Sequence, residues 1–358
     1  MGVYEDWEDK PKEVRQSEVL DLEALGAYFK ALGVEELQGA LEVEQFPSGH
    51  SNLTYMIKVA GKEMVLRRPP FGAKIKSAHD MGREFRILSS LDGVYPRVPR
   101  PIHHCEDESV LGAPFYVMER VRGVILRGMK NRMNLEADQM RALSQTLVDH
   151  LVEIHAVDLD KAGMTDFGKP QGYVKRQIEG WTGRYQKART DDLPAMEEVS
   201  AWLTKHMPAE SGATLIHNDY KYDNVVLAAD DLTRVVAVLD WEMATVGDPL
   251  MDLGTSLGYW VTADDAMELR YLPFGPTVLP GNLTRQEVAE RYALKSGRDV
   301  SNILYYYVYA LFKIAVVIQQ IYARYKRGLT DDQRFAMFGQ GVQILARTAA
   351  AAIERGTM

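Results

Sequence analysis

The stretch Leu215-Ile216-His217-Asn218-Asp219-Tyr220-Lys221-Tyr222-Asp223-Asn224-Val225-Val226-Leu227, followed by Val236-Ala237-Val238-Leu239-Asp240-Trp241-Glu242, carries more information than the rest of the chain. Two apolar, strand-like runs flank a polar loop. The loop offers a carboxylate, Asp219, and an amide, Asn224, five positions later; a second carboxylate, Asp240, closes the next apolar run. Magnesium-dependent phosphoryl transfer asks for such groups in this order. A carboxylate takes a hydrogen bond from the attacking hydroxyl, and an amide and a carboxylate present hard oxygens to magnesium. His217 reads as a brace for the turn through its ring nitrogens, not as a catalytic group. Glu242 either reaches a second magnesium or neutralises a nearby arginine. Asp248 and Asp252, in Asp248-Pro249-Leu250-Met251-Asp252, read as structural, a helix cap or a clamp on the loop.

Upstream, the hydrophobic period changes along the chain. Leu22, Leu25, Tyr28, Phe29 and Leu32 recur at helical spacing, which predicts a helix over Asp21 to Leu32. Three short strands follow, Leu41 to Phe46, Leu53 to Val59 and Glu63 to Arg67, as an antiparallel meander. A helix is expected over His79 to Leu91. Phe115 to Glu119 then reads as the last strand of a small sheet and the connector to a mainly helical region, with helices at Asp138 to Ile154 and Gly172 to Arg189. The run from Leu304 to Ile318 is apolar almost all round, as a helix in the middle of a core is. These elements predict an α+β, protein-kinase-like fold in three parts: a loose arm over residues 1–15, a nucleotide-binding lobe over 16–120 and a helical lobe over 121–358.

In that frame the earlier segments acquire roles. Ser48, Gly49, His50, Ser51 and Asn52 lie between the first two strands, where backbone N–H groups fold over nucleotide phosphates. Arg67 on the third strand is placed to grip the α- and β-phosphates with Glu84 as its partner, and Arg68 competes for that role from the opposite face. Met118, Glu119 and Val121 border the adenine through backbone groups. ATP and magnesium are therefore the expected cofactors, with Asp219 catalytic and Asn224 and Asp240 on the metal.

The composition excludes several other classes. The chain has 358 residues, 46% of them hydrophobic, a formal net charge of −8 and a pI near 5.6. That balance argues against a nucleic-acid or membrane-surface binder, which needs a basic face. One cysteine, Cys105, rules out an internal disulfide framework and fits a reducing compartment. The acidic N-terminus lacks the order of a signal peptide, and no apolar run is expected to reach the ~20 residues of a membrane span, so a cytoplasmic location is expected. The spacing names neither the oligomeric state nor the acceptor.

With these residues in place, the chain resembles the aminoglycoside phosphotransferase and choline kinase family. Within it, the likeness is to the kinase-like domain fused to some acyl-CoA dehydrogenases. Phe46-Pro47-Ser48-Gly49-His50-Ser51-Asn52-Leu53-Thr54-Tyr55, Val65-Leu66-Arg67-Arg68-Pro69-Pro70, Arg83-Glu84-Phe85-Arg86-Ile87-Leu88 and the two catalytic segments carry the likeness, which runs from about Val14 to about Tyr325. An Arg on the third strand is usual in that subgroup. Asn218 stands where the wider family often has Gly, and Asn tolerates the same left-handed backbone. The resemblance implies transfer of the ATP γ-phosphoryl group to a small-molecule hydroxyl acceptor, and for the fused relatives a hydroxyacyl-CoA. Lys175, Arg176, Arg184 and Lys187 read either as a solvated basic face or as contacts for CoA phosphates. The competing class is a non-catalytic pseudokinase. A protein kinase is disfavoured, because no Asp-Phe-Gly follows Asp219 and no Ala-Pro-Glu is present.

Overall fold

The computed structural model describes residues 4–47, 52–71, 80–127, 135–330 and 332–358. In chain order the strands are β1 (Leu41–Gln45), β2 (Leu53–Val59), β3 (Lys62–Arg68), β4 (Pro101–Cys105), β5 (Phe115–Glu119), β6 (Thr214–Ile216), β7 (Val225–Leu227), β8 (Val235–Val238) and β9 (Thr245–Gly247). The helices are α1 (Leu22–Leu32), α2 (Met81–Leu91), α3 (Glu108–Leu111), α4 (Ala137–His155), α5 (Tyr173–Ala188), α6 (Pro194–Lys205), α7 (Pro249–Gly258), α8 (Met267–Arg270), α9 (Arg285–Ser296), α10 (Ile303–Lys326) and α11 (Phe338–Arg355). They form two compact units, Met1–Ile125 with Asn224–Met243, and Leu126–Asp223 with Ala244–Met358.

The first unit is built on a five-stranded antiparallel sheet in the order β1-β2-β3-β5-β4. Ala60 and Gly61, both at positive φ (49° and 84°), make the two-residue turn between β2 and β3, as the right-handed strand twist requires. Alternation divides the sheet. Leu53, Tyr55, Ile57, Met64, Leu66, Phe115 and Val117 pack with Leu25 and Phe29 of α1 in one apolar cluster, which leaves Val65, Arg67, Tyr116 and Met118 for the other face. Asp80 caps α2 by accepting from the Arg83 amide (2.8 Å), and α2 carries Glu84.

One expectation is incomplete here and another needs correction. β5 is the last strand of the sheet in chain order, as expected, but it is not the edge, because β4, which the sequence reading missed, lies beyond it. The sequence hides β4: Pro101 and the pair His103-His104 spoil the alternation, and its register shifts between Pro101 and His103, as edge strands tolerate. Nor is the N-terminal arm loose where it is described. Tyr4 N donates to Ala229 O (3.0 Å), Glu8 bridges to Val124, and Lys12 and Gln45 exchange backbone hydrogen bonds of 2.8 and 2.7 Å.

The hairpin β7–β8 belongs to the same unit. Val124 and Leu227 exchange two backbone bonds of 2.8 Å. The approach is close enough that a Cβ on Gly123 (φ 157°) would lie 2.3 Å from Leu227 O.

In the second unit α10 is the central helix, with Tyr306, Tyr307, Tyr309 and Phe312 among its buried residues. By length and composition this helix could cross a membrane, contrary to the sequence expectation, yet most of it is buried inside the unit. It packs on α7 through two glycines four residues apart. A Cβ on Gly254 would lie 2.5 Å from Tyr306 O, and one on Gly258 would lie 2.8 Å from Ala310 Cβ. Only glycine permits that approach, and it carries Asp252, on the same helix, to the polar loop after β6. Asp248 caps α7 by accepting from Leu250 N (2.9 Å), with Pro249 at the first helical position.

Candidate active site

In the first unit, alternation along β3 turns Arg67 toward α2. Its Nη1 donates to Glu84 Oε1 at 2.7 Å, its Nη2 donates to Asp240 Oδ1 at 3.0 Å, and Glu242 Oε2 stands 3.9 Å from the same Nη2. Asn52 Nδ2 donates to Glu242 Oε2 (2.8 Å), and Arg83 Nη1 donates to the Glu242 carbonyl (3.0 Å). Burial works against the Arg67 charge, but Glu84 and the other carboxylates outweigh it and hold the guanidinium well above its ordinary value. Burial likewise pushes the Glu84 carboxyl up, against the pull of Arg67. At 2.7 Å from a permanently protonated guanidinium, the ion pair is the state we assign.

Asp240 occupies a left-handed conformation, φ 67°, uncommon for a non-glycine residue and characteristic of functional sites. The turn is held by Trp241, fully buried, whose Nε1 donates to Val238 O (2.8 Å). Leu239 N donates to Asn224 O (2.8 Å), which sets Asn224 beside the residue preceding Asp240. The structure thus brings Asn52, Arg67, Glu84 and Asp240 into one cluster and pins the start of β7 against the end of β8. Arg68 goes the other way. It is buried, its guanidinium lies 3.7 Å from the centre of the Phe71 ring, and its Nε and Nη1 have no hydrogen-bond partner among the described residues. Met118 is buried opposite Val65, Glu119 is exposed with its amide committed to Arg100 O (2.8 Å), and Val121 is half-buried. Ser48, Gly49, His50 and Ser51 lie outside the described residues.

Asp219 belongs to the second unit, with four residues of chain between it and Asn224. The loop that bears it is held by its backbone. Asp252, fully buried on α7, accepts from His217 N (2.7 Å) and Asn218 N (2.6 Å), with His155 Nε2 3.1 Å away. Burial would raise the Asp252 carboxyl, but His155 and His217 hold it below its ordinary value. Asn218 is at φ 65° and accepts from Tyr173 OH through its side chain (3.2 Å) and from Lys313 Nζ through its carbonyl (2.9 Å). Asp219 N donates to His217 Nδ1 (3.3 Å), the bracing role read from the sequence. Ser256 Oγ fixes the far side of the loop by donating to Tyr220 O (2.8 Å).

The Asp219 carboxylate is paired with Lys221, Nζ to Oδ2 at 2.6 Å, and that ammonium also sits 4.5 Å from the centre of the Tyr259 ring. Burial, reinforced by Asp219, pushes the Tyr259 phenol well above its ordinary value, so it stays protonated. The sequence reading missed Lys221, although an Asp-x-Lys spacing marked it. It also missed Lys313 and Tyr259, for which nothing local gave a signal. Among the described residues no three His, Cys, Asp or Glu side chains converge as a complete metal cage. Magnesium sites of the kind completed by substrate phosphates need only one or two carboxylates.

The family model described as "Phosphotransferase enzyme family" matches residues 42–283. The chain is 34% identical over 338 residues to acyl-CoA dehydrogenase family member 10 of Mus musculus, covering 94% of this chain and 31% of that protein, so it spans about a third of that relative's length. A candidate aminoglycoside phosphotransferase of Ralstonia eutropha, known from its crystal structure, is 30% identical with a TM-score of 0.77 over 93% of this chain and 99% of that one. A thermostable mutant of the aminoglycoside phosphotransferase APH(4)-Ia, in ternary complex with AMP-PNP and hygromycin B, shares the fold at 18% identity, with a TM-score of 0.56 over 90% of this chain and 99% of that one.

Proposed function

The chain belongs to the phosphotransferase enzyme family and is a small-molecule phosphotransferase with a hydroxyl acceptor, and we propose that it transfers the γ-phosphoryl group of ATP, with magnesium, to a hydroxyacyl-CoA or a similar anionic metabolite. The observation that carries this reading is the charge arrangement around Arg67, where one guanidinium faces three carboxylates. With Arg83 at the Glu242 carbonyl counted as well, one negative charge is left over, on oxygen donors, and a hard divalent cation compensates such a surplus.

The donor set therefore fits magnesium, which Asp240 and Asn224 would hold. When bound, magnesium would neutralise charge that develops on the phosphates. Arg67, kept protonated by Glu84, grips the α- and β-phosphates. Asn52 covers them, and the backbone from Met118 to Val121 borders the base. Asp219 accepts the hydrogen bond of the acceptor hydroxyl, aims its oxygen at the γ-phosphorus and takes up its proton. A P–O bond to the acceptor forms as the bond to the β-phosphate oxygen breaks, and ADP leaves. Lys221, bound to Asp219, offers an ammonium to the oxygens of the group in transit.

The acceptor class rests on the surroundings of Asp219. Lys221 pairs with it, and Lys313 and Arg184 are charged groups of the same neighbourhood. Such a field favours an anionic acceptor and opposes a polycationic aminoglycoside. Similarity to a protein named for acyl-CoA chemistry supports the same choice. The test is ADP release from magnesium-ATP over a panel of 3- and 4-hydroxyacyl-CoAs, choline and aminoglycosides, with Asp219→Asn beside the wild type. Turnover with the acyl-CoAs, abolished in the variant, is expected; turnover confined to cationic acceptors would overturn the acceptor class, and none with any acceptor would overturn the kinase reading.

A further inference from the structure

Lys313 is a charged residue in a helix segment otherwise given to packing. Around it Tyr309, Ala310, Leu311, Phe312, Ile314, Ala315 and Val316 are all buried, and so is Lys313 itself. Lysine is almost never fully buried unless something holds its head group. Here the bond is made to a single atom with a defined place in the site: Nζ donates to Asn218 O at 2.9 Å. That oxygen belongs to the peptide whose nitrogen is Asp219 N, and Asp219 N itself donates to His217 Nδ1. The preceding peptide is held by Asp252 at Asn218 N. The two peptides flanking Asn218, at φ 65°, are therefore fixed from α10 and from α7.

We propose that Lys313 is a positioning residue for phosphoryl transfer: from α10 it locks the Asn218–Asp219 peptide plane, and so the direction in which the Asp219 carboxylate faces the acceptor hydroxyl. The inference rests on the reading of Asp219 as the residue that aligns that hydroxyl. An amide or a neutral amine could supply the hydrogen bond, but only an ammonium adds positive charge beside Asp219. The groups facing Lys313 are Asp219 and Lys221 of the loop, Asp252 of α7, and Arg184 of α5, with the Trp181 ring 5.9 Å away. Burial pushes the ammonium down to about 8, with Asp219 and Asp252 opposing the shift. The charge is then present at neutral pH and lost on mild alkalinisation.

The test compares full-length Lys313→Met, Lys313→Gln and Lys313→Arg with the wild type. One readout is ADP release from magnesium-ATP with a hydroxyacyl-CoA acceptor as a function of pH; the other is amide hydrogen exchange over residues 217–220. Lys313→Met is expected to lower kcat by about 100-fold, as small misplacements of a reacting group do, with KM for magnesium-ATP changed little. The wild-type kcat should fall as pH rises through 8, and that step should be absent in Lys313→Met and displaced upward in Lys313→Arg. Exchange at the loop amides should quicken in Lys313→Met and less in Lys313→Gln, which keeps a donor. A Lys313→Met enzyme within twofold of wild type with an unchanged pH profile would overturn the proposal. So would unchanged exchange in both Lys313→Met and Lys313→Gln. If the wild type transfers phosphoryl to nothing, the kinase reading fails, while the exchange comparison still decides whether Lys313 holds the loop.

Discussion

Around Arg67 two guanidinium groups, Arg67 and Arg83, are set among three carboxylates; around Asp219 the carboxylates of Asp219 and Asp252 are set among Lys221, Lys313 and Arg184. The two neighbourhoods, one in each unit, have opposite residual charge, and each matches the opposite of what a phosphoryl-transfer reaction brings to it. Surplus negative charge suits a metal cation, and surplus positive charge suits the phosphoryl oxygens. They also differ in how they are held. Arg67 is fixed by side-chain ion pairs that need every partner present, whereas the Asp219 loop is fixed by backbone bonds to Asp252, Lys313 and Ser256. Losing a partner at Arg67 should therefore cost stability first, and losing one at Asp219 should cost catalysis first.

The largest effect expected is on the Asp219 side. Asp219→Asn keeps the size of the side chain and removes the proton acceptor, so transfer should fall by about 10³- to 10⁴-fold at nearly constant thermal midpoint. A drop in midpoint comparable to that of a core mutant would break the comparison. Next comes Arg67→Met, which strands the buried Glu84 beside Asp240 and should destabilise the fold by about 3–5 kcal/mol, read from urea unfolding. Adding Glu84→Leu to Arg67→Met should recover much of that stability while transfer remains lost, because an apolar pair replaces the ion pair without replacing the phosphate contact proposed for Arg67.

Much of this could be read in the chain before any coordinates. β2 and β5 match their expected bounds to the residue, because Leu53 to Val59 and Phe115 to Glu119 are compact apolar runs bounded by turn residues. Asp219, Asn224 and Asp240 could be put forward as candidates because they lie on one short segment where spacing is itself geometry. Arg67 and Arg68 were only half legible. Alternation predicted that they would part, but which of them faces α2 depends on the register of β3 against β2 and β5, which no local pattern states. Lys313 was illegible for a related reason: its single visible partner is 95 residues away, and an aromatic run around it reads as core. Residues that define a site by their own chemistry can be found in sequence; residues that orient those groups by packing cannot.

The pH dependence of stability gives a smaller test of the same contrast. The folded state holds the Lys313 ammonium at about 8, below its ordinary value of 10.5. Between those two pH values the unfolded chain binds the extra proton, so the wild type should gain stability relative to Lys313→Met as pH rises from 8 to 10.5, by at most about 3 kcal/mol. Urea midpoints of both proteins at pH 7.5 and pH 10 measure the difference directly. A difference that does not change with pH would mean that Asp219 and Asp252 offset the burial of the Lys313 ammonium in the folded state, and the pH step expected in kcat would have to be withdrawn.

The smallest effect expected belongs to Asn218→Gly, and it separates side chain from backbone in the loop. At φ 65° glycine is free of the strain that Asn accepts. The substitution also removes the acceptor of the Tyr173 hydroxyl (3.2 Å) and loosens the unfolded chain. These contributions oppose one another, and the net loss should stay within about 1 kcal/mol, the usual worth of one hydrogen bond. Transfer should change only a few-fold, since Asp252 and Lys313 grip the amide and the carbonyl of residue 218 and both survive. A Gly variant as slow as Lys313→Met would show instead that the Tyr173–Asn218 side-chain contact, not the peptide, aims Asp219. The backbone-held loop would then depend on its side chains as much as the Arg67 cluster does.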